Sequence, residues 1–240
     1  MDMQKEALEF INHLKDNRIY EIGDRTYSEN ELIEITPPRY YALERQVNSL
    51  NSIVSLLSNE IHHHKNLPVF VEVNSARSVT VYTSYDDHMN RSNIYKAVCD
   101  TPQFREGFRE REQAIIELRS KFIETDDLKY VLELLSRISK DNGISTEDNG
   151  VTQTVEARQG ISLKSKVAVR PRVSLRPYRT FLEVEQPESE FLLRLNDDGD
   201  VGLFEADGGM WTVAAKKSIH DYLESALKPL VDDGKVVVMM

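Results

Sequence analysis

One cysteine, Cys99, stands among the 240 residues, so no disulfide forms within the chain and a reducing compartment suits it. No apolar run approaches the ~20 residues that a bilayer-spanning helix needs. The opening Met1-Asp2-Met3-Gln4-Lys5-Glu6 lacks the basic-then-apolar order of a signal peptide. These absences set the expectation of a soluble cytoplasmic protein with no membrane partner. Internal repeats and low-complexity linkers are missing. So are the motifs that name a reaction: no GxGxxG, no Walker loop, no GxSxG and no CxxC pair. The expectation is therefore of no catalytic residue, no cofactor, no bound metal and no small-molecule substrate.

What is present is an ordinary globular balance, 40% hydrophobic and 29% charged. Acids outnumber bases 40 to 30, and the net charge of −10 argues against a surface that coats nucleic acid as a whole. A local basic face stays open, because salt confines its field to roughly 10 Å.

Apolar spacing places an amphipathic helix over residues 2–16 and a small hairpin over Ile19–Tyr27. Ser28 and Glu31 form a capping-box pattern for a short helix stopped by Pro37-Pro38. A helix is expected over about Ser49–His62, with Arg39–Val47 left open. Val69–Val73 and Val79–Tyr85 alternate as a hairpin, and Asn90–Val98 reads as a short helix. Gln113–Ile123 supports either period and is taken as a strand, since alternation persists from Ala114 to Phe122. Thr125 caps a helix carrying Leu128, Val131, Leu132, Leu135 and Ile138 on one face. From residue 148 the period becomes two, with strands at 151–157, 161–170, 173–175, 181–186, 191–195 and 201–205. A closing helix from about Ala214 buries Ala215, Ile219, Tyr222, Leu223, Ala226 and Leu230, and Val236–Val238 return as a strand. The sum is an α+β fold, a mostly antiparallel sheet with several packed helices, in a single compact unit. Its soft internal boundary separates a mixed part at 1–144 from a β-rich part at 145–240.

Two histidine-containing stretches invite a metal reading. Consecutive helical residues point about 100° apart, so His62-His63-His64 cannot converge on one ion. Asp86-Asp87-His88 reads as a solvated connection.

The most patterned stretch is Lys164–Met210. Its first half holds six bases and no acid: Lys164, Lys166, Arg170, Arg172, Arg176 and Arg179. From Glu183 to Asp207 nine acids face the single base Arg194. Three readings compete for it. The bases bind phosphates, with Tyr178 stacking on a nucleobase. Or the same-face pairs Glu183/Glu185 and Glu205/Asp207 hold a divalent metal for phosphodiester hydrolysis, though no lysine or histidine completes such a site. Or the basic face (Lys164, Lys166, Arg170, Arg172, Arg176, Arg179) meets the acidic face (Glu183, Glu185, Glu190, Glu205, Asp207) on neighbouring subunits of a homo-oligomer. Pairing of the same charges within one chain stands level with this third reading, and both rank above catalysis. Trp211 reads as a core anchor.

Pro177-Tyr-Arg-Thr-Phe-Leu-Glu-Val-Glu-Gln-Pro187 and Leu203-Phe-Glu-Ala-Asp-Gly-Gly-Met-Trp211 resemble the YfdQ-like proteins of bacteriophages and prophages, a family classed as a domain of unknown function. Phe122-Ile-Glu-Thr-Asp-Asp-Leu128, Asp148-Asn-Gly-Val-Thr-Gln153 and Gly160-Ile161 extend the resemblance over most of the chain after about residue 50. It implies a viral origin and the cytoplasm of a bacterial host, and it brings no catalytic residues. The expectation is a non-enzymatic protein that assembles with itself, as a ring or shell, or binds a host or phage component. A sequence-independent nucleic-acid binder comes second and a metal-dependent nuclease third.

Overall fold

A computed structural model describes residues 5–10, 19–22, 25–28, 43–65, 67–86, 89–137, 143–148, 153–159 and 162–240. Its contacts divide the chain into two units, Met1–Tyr41 and Ala42–Met240. In the first, residues 5–10 are helical (α1) and leave Leu8 and Phe10 exposed. The expected hairpin forms from β1 (Ile19–Ile22) and β2 (Arg25–Ser28). Ser28 ends β2, and Glu31 with the helix expected after it lies outside the described residues.

The second unit is α+β, with mostly antiparallel sheets. Short β3 (Arg45–Val47) leads to Ser49, whose hydroxyl accepts from the Ser52 amide at 3.1 Å and caps α2 (Leu50–Glu60). Ile61–His63 form a single 3₁₀ turn. β4 (Val69–Ser75), β5 (Ser78–Tyr82) and β6 (Asn93–Val98) follow as an antiparallel meander. Strict alternation sends Val69, Val71, Val73, Val79 and Val81 to one face, where Leu50, Ile53 and Leu57 of α2 cover them.

β7 (Gly107–Arg109), α3 (Arg111–Lys121), two-residue β8 (Phe122–Ile123) and α4 (Asp126–Arg137) start the second core. The hydroxyl of Thr125 accepts from the Leu128 amide at 3.1 Å, the expected cap of α4. β9 (Gly143–Asp148), β10 (Gln153–Gln159) and β11 (Ser162–Val169) make a separate three-stranded sheet with β10 central. The Gln153 side chain joins it to the main body, accepting from the Leu195 amide at 2.9 Å and donating to the Leu195 carbonyl. β12 (Arg172–Pro177), β13 (Ser189–Leu195) and β14 (Val201–Glu205) complete the second sheet, ordered β7-β14-β13-β12-β8. α3 and α4 pack on its inner face through Leu118, Leu128, Val131 and Leu135.

The chain then returns to the first core. α5 (Met210–Ala226) buries Ala215, Ile219 and Leu223, α6 (Lys228–Asp232) follows, and β15 (Val236–Met239) adds to β4 in parallel. The first sheet reads β15-β4-β5-β6-β3, its two outermost pairings parallel. Both cores draw on residues on each side of position 145. Among the described residues no helix is long and apolar enough to cross a membrane.

Four expected elements differ. Gln113–Ile123 is helical up to Lys121, because strong helix formers such as Arg, Glu, Gln and Ala fill it and only Ala114 and Leu118, four apart, need burial. Asn93–Val98 is a strand, not a helix; an irregularity in its register at Val81/Tyr82 lets adjacent Ile94 and Tyr95 both be buried, which blurs the alternation. Phe181–Gln186 is a loop, held open by side-chain bonds. The closing helix begins at Met210 and leaves Ala226 exposed; Leu227 is buried instead.

Candidate functional site

Within the charged stretch four arginines face their own chain's acids. Arg170 donates to Asp127 at 3.0 Å and lies 3.6 Å over the Tyr130 ring. Arg172 meets Glu190 across β12 and β13 at 2.9 Å. Arg176 pairs with Glu185 and donates to the Gln186 carbonyl. Arg179 meets Glu205 at 2.8 Å. Lys164 and Lys166 stand on β11, and their side chains lie outside the described residues. Glu183 is not placed beside Glu185 on a strand face. Its carboxylate accepts from the Asn51 amide at 3.1 Å, in the first turn of α2, where the helix dipole favours an anion.

Arg179 is the centre of the stretch, only 4% exposed. It lies 4.1 Å over the Trp211 ring and donates to the Pro187 carbonyl and to Ser189. Glu205 is shared, one oxygen on Arg179 and the other accepting from Trp211 Nε1 at 3.0 Å. Asp207 accepts from Ser189 at 2.6 Å, from the Gly209 amide at 3.0 Å and from the Trp211 amide at 3.2 Å. It thereby caps α5, whose preceding Gly209 sits at φ 81°. Burial alone would raise the Asp207 carboxyl, but these three donors and the Arg179 charge reverse that and hold it below the usual range. Burial lowers the Arg179 guanidinium, opposed by Glu205 and Asp207. The carboxylate oxygens that a metal would require are thus engaged as helix cap and ion-pair partner.

The loop between β12 and β13 is shaped by Gln186. Its side-chain oxygen accepts from the Arg179 and Thr180 amides at 2.9 and 3.1 Å, and its nitrogen donates to the Phe181 carbonyl at 2.9 Å. That leaves Phe181 to plug the first core. Arg77, in the β4–β5 turn, stitches the cores together through the carbonyls of Cys99 (2.8 Å), Thr101 (2.7 Å) and Arg179 (3.1 Å). Sequence reading passed over Arg77 and Gln186, since no motif marks a side chain that bonds to backbone.

Elsewhere, Tyr95 donates to Glu60 at 2.6 Å and contacts His64 at 3.2 Å. Burial, the bond to Glu60 and its charge all raise the Tyr95 phenol, while burial lowers His64. His62 and His63 lie in the exposed 3₁₀ turn. Asp86 closes a turn by accepting from the Asn90 amide at 2.8 Å; Asp87 and His88 lie outside the described residues. On α5, His220, Asp221 and Glu224 cluster at a largely exposed surface.

The β15 edge contrasts with the satisfied charged stretch. The Val69 amide donates to the Lys235 carbonyl at 3.0 Å, and the parallel register then aims residues 235, 237 and 239 at β4. The backbone groups of Val236 and Val238 point the other way, and neither amide meets a partner among the described residues. The strand reads Val-Val-Val-Met, with no charge, proline or bulge to blunt it. The chain matches no family model, no curated protein and no solved structure.

Proposed function

We propose that the chain works by assembling with copies of itself, without chemistry of its own, through backbone pairing along β15. The observation that carries this is the Val236–Met239 edge, whose outward amides lack partners among the described residues while the charged side chains around Arg179 have theirs. Two copies meeting there would join two five-stranded sheets into one. The charged faces would add little, because Arg170, Arg172, Arg176 and Arg179 are each engaged within the chain. The bacteriophage or prophage setting implied by the sequence resemblance belongs to the same proposal, with a bacterial host cytoplasm as the site of assembly.

Light scattering and native mass spectrometry of the wild type, Val238→Pro and Val237→Lys test it. Proline at 238 removes an outward amide that the ladder to β4 does not use, and lysine at 237 supplies the missing edge charge. The wild type is expected to be a dimer or larger and insensitive to salt, and both variants monomeric with unchanged circular dichroism. A wild type that stays monomeric to about 100 µM, where mass action favours association, overturns the proposal. So does an oligomer that both variants leave intact.

A further inference from the structure

The outward face of the first sheet carries a cluster that neither the core nor the β15 edge uses. Phe70 on β4 and Tyr82 on β5 are register partners, and their rings stack 5.5 Å apart at 19°. The Arg91 guanidinium lies 5.1 Å from each ring and 4.1 Å from the Tyr85 ring. Arg91 is exposed and Tyr85 is 52% exposed. Register extends the row to Val237 and sets Glu72, Thr80 and Lys96 in the next row of the same face. Among the described residues neither Arg91 nor Lys96 has a carboxylate partner, unlike the arginines at 170, 172, 176 and 179.

We propose that this face binds single-stranded nucleic acid, stacking bases on Tyr85 and the Arg91-capped Phe70–Tyr82 pair while Arg91 and Lys96 hold phosphates. Flat rings on neighbouring strands accept any base by its π-face, and a guanidinium stacks on bases as it does on tyrosine. Arg91 lies against those rings and Lys96 stands one row away on the same face, within the span over which a strand's phosphates follow its stacked bases. Glu72 and the overall charge of −10 oppose a long-range basic attraction, so close stacking carries the affinity. A duplex, whose bases are already stacked, offers this face little. The site is complete in one copy and does not depend on assembly at β15.

The test is fluorescence anisotropy with a labelled oligothymidine, titrating the full-length wild type, Tyr85→Ala, Arg91→Ala and the double variant Arg172→Glu/Arg176→Glu. Both Tyr85→Ala and Arg91→Ala are expected to weaken binding about tenfold, the effect of one lost stacking partner. The double variant is expected to bind like the wild type. Two phosphate contacts predict a shallow logarithmic salt slope of about −1.4, where six would give about −4. No detectable binding by the wild type at low salt overturns the inference. Binding as tight as the wild type's by Tyr85→Ala and Arg91→Ala, loss confined to the Arg172/Arg176 variant, or preference for duplex each does the same.

Discussion

Arg179→Met is the sharpest perturbation of the charged stretch, because it removes a buried cation and leaves its acid in place. Methionine keeps the length of the apolar stem and removes the guanidinium, and with it both the ion pair and the cation's contact with the Trp211 ring. Glu205 would retain the Trp211 Nε1 donor and lose its ion pair. Breaking a buried pair costs about 3–5 kcal/mol, and the 27% exposure of the Glu205 side chain places the expectation near the lower end, at about 3 kcal/mol. With a urea slope of about 2 kcal/mol per M, the midpoint falls by about 1.5 M. Trp211 is the only tryptophan, so its emission reports unfolding from within the network itself. Arg172→Met is the control: the Arg172–Glu190 side chains are 61% and 41% exposed, and such a pair is worth about 0.5 kcal/mol. The double variant Arg179→Met/Glu205→Gln is expected to recover part of the loss, since no carboxylate is left unpaired. If Arg179→Met costs no more than Arg172→Met, the network does not hold this region together.

Two further outcomes follow from the same loop. Asp207 has its pKa depressed on folding, so its contribution is fully present above the unfolded value near about 4 and is lost as pH falls through the folded one. The stability gap between wild type and Asp207→Asn, measured by urea unfolding, is expected to be largest at neutral pH and to close on acidification; a gap constant down to strong acid refutes this. Gln186→Leu strands the Arg179 and Thr180 amides, costing about 2 kcal/mol. Hydrogen exchange is expected to speed up at residues 179–184 before the sheets open, and unchanged protection there counts against the clamp.

Much of this architecture was written in periodicity. Val69 to Tyr82 alternates so regularly that its hairpin and buried face follow directly, and Thr125 announces α4. The same alternation placed Phe70 and Tyr82 outward, a signal for the aromatic face that was there to be taken. The failures share a cause. α3 has one narrow buried stripe, Ala114 and Leu118, so neither period dominates over Gln113–Ile123. Phe181–Gln186 alternates like a strand, yet Phe181 enters one core while Gln186 satisfies backbone beside the other, and no local pattern encodes two destinations. The charges at 170–207 were legible as a dense set. Which acid meets which base depends on register across β12, β13 and β14 and on the start of α5, and that lies in tertiary contact.

The two cores also differ in how their residues are spread along the chain. The second is assembled from one continuous stretch, Phe104–Leu203, whereas the first takes Val47–Cys99 and then waits for Phe181, α5, α6 and β15. On a ribosome the second core can close while the first sheet still lacks its parallel edge strand. Until residue 239 has emerged, Val69 to Glu72 sit on an edge with no neighbour beyond β4. The order of synthesis thus leaves the first core open longest, and β15 is the piece whose arrival ends that exposure.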